Sequence, residues 1–417
     1  VQTAPVAVLP VEVVGTAPLP GSGLPRDRIP GNPRGLSDVD LGREGGAARG
    51  LPDALERLSG SVTRNEAQSN PFQPDLQYRG FTASPLLGTA QGLAVYQNGI
   101  RINEAFGDTL NWDLIPEITI AGVDLLGSNP LFGLNATGGA LALRMRTGFD
   151  FEGAEIDLFG GSFGRRGLAA QAGLRAGDFA GYLALEGMND DGWRDHSPSR
   201  VCRLYADLGV RSERATLHIS IGAGDNRLTG NGPAPAELLA RDRRAVFTYP
   251  DDTRNRLLTA HLRGTYTLAE MLSLEATAYL RSFRQRTLDA DLLEAEDCGD
   301  DSGLVCLDDG APLRTTAGGD VPASLLGGAP PGALNRTRTS SLGAGGAAQL
   351  VSTAPVFGLP TRLDASKNLS LGRRVADSLP GQRRRRGWRG SRAFSTWGIG
   401  CGSCRRRATT WSGSRGW

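Results

Sequence analysis

From about residue 150 onward, apolar and polar side chains alternate with a period of two, and the alternation lasts for more than a hundred residues. Ala154, Ile156 and Leu158 alternate with Glu155 and Asp157, and Leu168, Ala170, Ala172 and Leu174 with Gln171 and Arg175. Leu204, Ala206, Leu208 and Val210 stand against Arg203, Tyr205 and Asp207, while Leu217, Ile219 and Ile221 stand against Thr216, His218 and Ser220. Leu258, Ala260 and Leu262 then oppose Thr259, His261 and Arg263, and Leu272 to Leu280 oppose Ser273, Glu275, Thr277 and Arg281. Each run predicts a strand with one apolar face. Their connections alternate too: Ala176–Asp178, Arg211–Arg214 and Thr267–Glu270 are tight, whereas roughly 187–201, 223–256 and 289–338 are long and polar. A soluble sandwich has no reason to keep its short turns at one end and its long loops at the other. A membrane β-barrel does, with apolar side chains to lipid and polar ones to the lumen.

Upstream the texture differs. Residues 1–40 hold prolines at 5, 10, 18, 20, 25, 30 and 33 and one β-branched run, Val11-Glu12-Val13-Val14, so they read as an extended arm. Residues 41–148 carry short mixed elements: a helix from Leu51 to Leu58 with Pro52 in its first turn, ended near Gly60, and apolar runs at Gly92–Tyr96 and Ile118–Leu126. That is the pattern of a small α+β domain. No run of 18 or more apolar residues predicts a transmembrane helix. The first residues lack the basic start and apolar core of a secretory signal, so a signal peptide is expected to be absent from this chain or already removed.

Charge divides the chain again. Of 46 basic residues only Lys367 is a lysine. Residues 365–417 carry a net charge of +12 and the first 364 residues −10, so the overall +2 describes neither, and the main body has no nucleic-acid signature. The last stretch has Arg383–Arg386, Arg405–Arg407, four of the six tryptophans and no alternation. A basic tail for RNA or anionic lipid is one reading of it. The favoured one is a reading-frame shift near residue 361, leaving a non-native tail over 365–417.

Residues 70–148 resemble the plug domain of TonB-dependent outer-membrane receptors. The resemblance rests on Leu76-Gln77-Tyr78-Arg79-Gly80-Phe81, Val95-Tyr96-Gln97-Asn98-Gly99-Ile100-Arg101 and Asp113-Leu114-Ile115-Pro116. Its most specific part is Val123-Asp124-Leu125-Leu126-Gly127-Ser128-Asn129-Pro130-Leu131-Phe132-Gly133, leading into Ala136-Thr137-Gly138-Gly139-Ala140-Leu141. Where the family has Asp-Gly this chain has Asn98-Gly99, and where it has Arg-Gly-Pro this chain has Gly127-Ser128-Asn129-Pro130; both replacements keep turn-competent residues. The resemblance implies an N-terminal α+β plug inside an antiparallel barrel of about 22 strands. It also implies a place in the Gram-negative cell outer membrane among its lipid, and uptake of a scarce ligand, most plausibly a ferric siderophore, with energy delivered by TonB. Val11, Glu12, Val13 and Val14 stand where the family carries its TonB box, and Phe106, Asn111 and Trp112 fall in an outward plug loop, where they either bind ligand or pack the plug against the wall. No cofactor, metal or catalytic residue is implied.

The remaining motifs have plain readings. Gly160-Gly161-Ser162-Phe163-Gly164 matches G-x-S-x-G, but a strand follows where a nucleophile elbow needs a helix. His196, His218 and His261 lack ligand spacing, and Cys401-Gly402-Ser403-Cys404 is a single pair without a nearby histidine. Cys298 and Cys306 lie in an acidic loop on the extracellular side, where an oxidising compartment favours a disulfide. Residues 149–364 hold about ten strands at roughly twenty residues each, against the 22 that a plugged transporter needs. The chain as written is therefore expected to be inactive. The rivals are a passive porin or assembly protein of the outer membrane and a secreted β-protein using Ser162.

Overall fold

The computed structural model describes residues 50–66, 70–105, 107–128, 135–293, 295–299, 302–307, 310–314, 318–325, 332–355 and 357, with 34–37 and 40. It also describes 13–14, 24–25, 363–379 and 392–401 as backbone strands. β1 (Val13–Val14) pairs antiparallel with β2 (Leu24–Pro25). Val11 and Glu12, the other half of the expected TonB box, lie outside the described residues.

β3 (Arg34–Ser37), within the stretch read as arm, joins the main sheet of the following body as an edge strand. Helix α1 (Leu51–Leu58) has Pro52 where no intrahelical donor is needed, Asp53 in its first turn and Arg57 in its last, and buries Leu51, Ala54 and Leu55. A three-stranded sheet follows, made of β4 (Val62–Asn65), β5 (Asp75–Tyr78) and β6 (Phe81–Ala83). The main sheet adds β7 (Leu93–Gln97), β8 (Ile100–Arg101), β9 (Ile120–Gly127) and β10 (Gly139–Met145) in the order β3-β9-β10-β7-β8. Only β10 and β7 run parallel. The tight β7–β8 turn has φ of 49° at Asn98 and 82° at Gly99, the left-handed pair that a two-residue hairpin requires. Leu76, Leu93, Val95, Leu141 and Met145 form the plug core between these sheets. Residues 129–134 of the family-like turn lie outside the described residues.

The second body is one antiparallel sheet of ten strands in sequence order. It runs β11 (Gly153–Gly160), β12 (Arg166–Ala176), β13 (Phe179–Asp190), β14 (Ser199–Arg211), β15 (Ala215–Thr229), β16 (Asp251–Ala269) and β17 (Leu272–Leu292), then β20 (Gly332–Ser352), β21 (Leu363–Leu379) and β22 (Arg392–Cys401). The alternation read from sequence orients this wall: Leu158, Leu208 and Ile219 are 79%, 67% and 50% exposed on its outer face, while Asp207 and Asn226 are fully buried on its inner one. Tight turns join β12 to β13, β14 to β15 and β16 to β17 at one end. Long connections lie at the other and contain helix α2 (Ala236–Arg241) and the hairpin of β18 (Ala295–Asp297) and β19 (Val305–Leu307). Cys298 and Cys306 are joined by a disulfide at the end of that hairpin, and Cys202 is a free, exposed thiol.

Two boundaries differ from the sequence reading. Strands run past the points where alternation lapses: β15 reaches Thr229, β16 starts at Asp251 and β17 reaches Leu292, inside stretches expected to be loop. Both faces are polar there, and polarity on both faces hides a strand from a period-two search. Strand pairing also continues past Asp364, with β21 on β20 and β22 on β21, because an open edge offers main-chain groups to any extended backbone. β11 and β22 do not pair with each other, so the sheet is open.

At the start of β10, the last strand of the plug sheet, Gly139 sits at φ 140°, and a Cβ there would collide with the Leu126 carbonyl oxygen. Gly139→Val is expected to destabilise the plug by about 2 kcal/mol or more through backbone strain and overpacking. A lower denaturation midpoint and faster proteolysis within residues 62–145 would show it.

Candidate functional site: the seam between plug and wall

The plug meets the wall through apolar contacts, with Tyr182, Ala184 and Tyr205 joining its core and Phe72 packed with Met188, Val201 and Leu228, and through polar side chains that one segment concentrates. After β8 the chain passes through Asn103 and Glu104 to two single 3₁₀ turns, Trp112–Leu114 and Glu117–Thr119, separated by Pro116. Pro116 cannot donate a backbone hydrogen bond, so the first turn ends before it and the second starts after it. The two turns place Asp113 and Glu117 against strands β13 to β16.

Asp113 is 1% exposed and has two amide partners. Asn226 Nδ2 donates to its carboxylate at 2.8 Å and to its carbonyl oxygen at 2.7 Å, and Asn255 Nδ2 lies 3.1 Å from both carboxylate oxygens. Burial pushes the Asp113 carboxyl up, and these amide donors pull it back. Arg203, buried on β14, does the corresponding work one step along. Its guanidinium donates to the Ile115 carbonyl oxygen, lies 3.7 Å from Glu117 Oε1, and holds Nε 2.9 Å from Glu186 Oε2, an ion pair whose angle falls outside hydrogen-bonding range. The other Glu186 oxygen accepts from the Ile118 backbone N–H at 2.6 Å. Burial raises Glu117 to about 7, Arg203 lowers it and Glu186 raises it.

Three further clasps surround this pair. Arg281 of β17 donates to Glu104 at 2.6 Å, Asn70 reaches Ser199 and the Thr229 carbonyl on the wall, and Arg146 reaches Gln171 at 2.9 Å. A shallow open cleft with room for about one water lies beside the segment, lined by Phe72, Trp112, Asp113, Glu117, Arg165 and Arg203 among others. Its lining sets two guanidiniums against two carboxylates, with two aromatic rings beside them.

Of the residues singled out for ligand contact, Trp112 is buried in the plug core and lines this cleft, and no partner for its indole N–H is found among the described residues. Asn111 is buried against Asn255, the packing alternative, and Phe106 lies outside the described residues. Sequence reasoning placed Arg203 on a polar strand face without giving it a role; the only signal was its inward register. Ser162 sits in the turn between β11 and β12, with strand on both sides. In the buried trio of Asp207, His218 and Ser220 the serine donates to the aspartate, so the histidine has no hydroxyl to deprotonate. Among the described residues no three His, Cys, Asp or Glu side chains gather as a metal site.

No family model matches the chain. Several solved structures share its fold. The ferripyoverdine receptor of the outer membrane of Pseudomonas aeruginosa matches with a TM-score of 0.64 at 12% identity, over 88% of this chain and 46% of that one. The ferric preacinetobactin receptor of Acinetobacter baumannii gives 0.62 at 12%, over 89% and 51%, and the unliganded ferric citrate transporter gives 0.56 at 12%, over 89% and 60%. The likeness establishes a common fold, a plug of the kind that residues 70–148 resemble together with a wall of antiparallel strands. The chain spans about half the length of the structures it matches.

Arg203→Ala would leave Glu117 and Glu186 buried without their cation, at a cost of about 3–5 kcal/mol to plug docking, read as a lower denaturation midpoint. Glu117 titrates higher when docked than when free, so docking is strongest below the free carboxyl's range and weakens as pH rises toward about 7. The midpoint should fall between pH 5 and pH 8 in the wild type (roughly the window bracketed by these values), and Glu117→Gln should flatten that dependence.

Proposed function

We propose that this chain is the plug and the N-terminal part of the barrel of an outer-membrane receptor that takes up a scarce small ligand, a ferric siderophore or a compound of similar chemistry, using energy delivered by TonB. It is a transport protein and not an enzyme. The observation that carries the reading is the seam: a wall with an apolar outer face has its polar inner face filled by a separately folded plug and tied to it by Asp113, Arg203 and Glu104. A passive porin keeps that face open to water, so the plug argues against that reading.

In the intact receptor the wall closes through further strands between β20 and β11, since lipid leaves no solvent for an unpaired edge. Ligand reaches the plug from the side of the long connections. Val11–Val14 serve as the TonB box, adding a strand to a partner sheet by main-chain hydrogen bonds. The pull then reaches the plug through the arm, whose last segment β3 is already paired to β9.

The arm can be tested by itself. A peptide of residues 8–18 should bind the periplasmic domain of TonB in calorimetry, and Val13→Pro, which removes a backbone donor, should weaken it roughly tenfold or more. Equal binding by both peptides, or by neither, would remove the TonB box from the proposal.

A further inference from the structure

The outer face of the wall changes character abruptly along each strand. Three successive cross-strand rows are uncharged: Leu204-Ala223-Leu258-Ser282-Leu342, Ala206-Ile221-Ala260-Leu280-Ala344 and Leu208-Ile219-Leu262-Ala278-Gly346. Toward the long connections, the same face carries arginine. Arg200 stands opposite Arg227, Arg227 opposite Arg254, Arg254 opposite Arg286, and Arg286 opposite Arg338, and Asn189 links Arg200 to Arg166. All six arginines are exposed, while their strand neighbours Val201, Asn226, Leu228, Asn255 and Thr339 are buried inward. Arg256 and Arg284, paired with each other, form a partial second tier, and Arg336 lies beyond.

Like charges directly opposite one another on a sheet repel, so a row of this kind needs anions. Among the described residues the face supplies two carboxylates. Asp225 holds Arg254 and Arg256 at 2.9–3.1 Å, and Asp252 holds Arg227 at 2.7 Å. Asp377 stands opposite Arg338 in register. The guanidinium count exceeds the carboxylate count, and the excess faces outward.

Height fixes what faces it. Arg166 is ten residues from the tight-turn end of its strand at Ala176, Arg200 eleven from Arg211 and Arg227 twelve from Ala215. Arg286 and Arg338 are each fourteen from their strand ends. A tilted strand crosses the hydrocarbon in about 9–11 residues, so the arginines begin where the acyl chains end. We propose that this row is a docking surface for phosphorylated lipid headgroups of the outer leaflet, the guanidinium forks gripping phosphate oxygens while the uncharged rows beneath meet the acyl chains. The inference rests on the membrane-barrel reading above and adds to it a lipid contact separate from the plug seam.

The test places the purified chain in vesicles of phosphatidylcholine with diphosphoryl lipid A, or with the same lipid stripped of phosphate. The lipid retained after mild detergent extraction is then counted by native mass spectrometry. The wild type should retain the phosphorylated lipid in roughly tenfold preference, Arg227→Gln/Arg254→Gln/Arg286→Gln should lose that preference, and the triple lysine variant should keep it. Equal retention of the two lipids by the wild type, or an unchanged preference in the glutamine variant, overturns the proposal. Insertion is read separately by protease protection. A chain that inserts without the preference refutes the arginine assignment alone, and one that neither inserts nor retains either lipid in mixed micelles refutes the membrane reading beneath it as well.

Discussion

Burying the polar face of a sheet is costly unless every donor and acceptor on it finds a partner, and this wall buries its polar face. Asp207, Asn226, Asn255 and Gln349 are at most 1% exposed, while leucines and isoleucines stand open on the other side. An unpaired buried polar group costs about 1–3 kcal/mol, more if charged. Some of these residues satisfy each other, as Asp207 does with His218 and Ser220. The rest depend on the plug: Asn226 and Asn255 on Asp113, Arg203 on Ile115 and Glu117, Arg281 on Glu104. At these positions the plug is thus the inner face's replacement for water, beside the apolar contacts made by Phe72, Tyr182 and Tyr205.

That dependence explains why the seam is a poor adhesive and a good seal. A hydrophobic interface would gain free energy with every buried methylene. A polar one exchanges water partners for protein partners at a net gain of about 1 kcal/mol per hydrogen bond. Sliding a plug past such a wall breaks bonds that water re-forms at once. The exceptions are the ionic points, Arg203 between Glu117 and Glu186 and Arg281 on Glu104, where separation strands a charge in a buried place. Resistance to movement is therefore concentrated at a few residues of the segment from Glu104 to Ile118.

The legible part of this architecture is the part in which the two faces of a strand meet different solvents. Leu204 to Val210 could be read correctly because Arg203, Tyr205 and Asp207 alternate with them, and α1 because Pro52 and Asp53 mark its start. Strand residues such as Asp225–Thr229 and Asp251–Arg256 were read as loop, since there polar residues stand on both faces and the period vanishes. The seam was illegible for another reason. Arg203 meets Ile115 across 88 residues of sequence and Asn255 meets Asp113 across 142, and no local pattern records such pairings. Asn111 and Trp112 were visible as unusual residues in a plug loop, but whether they face ligand or wall is decided by neighbours on other strands.

The last strands separate two things that usually coincide, backbone pairing and face chemistry. β21 follows β20 over its whole length without a break in register, so the ladder accepts it. Yet the register sets Arg373 opposite Leu342 and Lys367 opposite Ala348, two exposed apolar positions of β20. In a barrel, a charge on the middle of a lipid-facing band costs about 2–4 kcal/mol, and the exposed apolar rows of β12 to β17 carry none. Main-chain hydrogen bonding extends a sheet wherever an edge is free, whereas only the alternation of side chains qualifies a strand for lipid. By that second criterion the wall is continuous from β11 to β20, and the loss of the pattern beyond Asp364 is a change in sequence that the geometry of pairing does not mend.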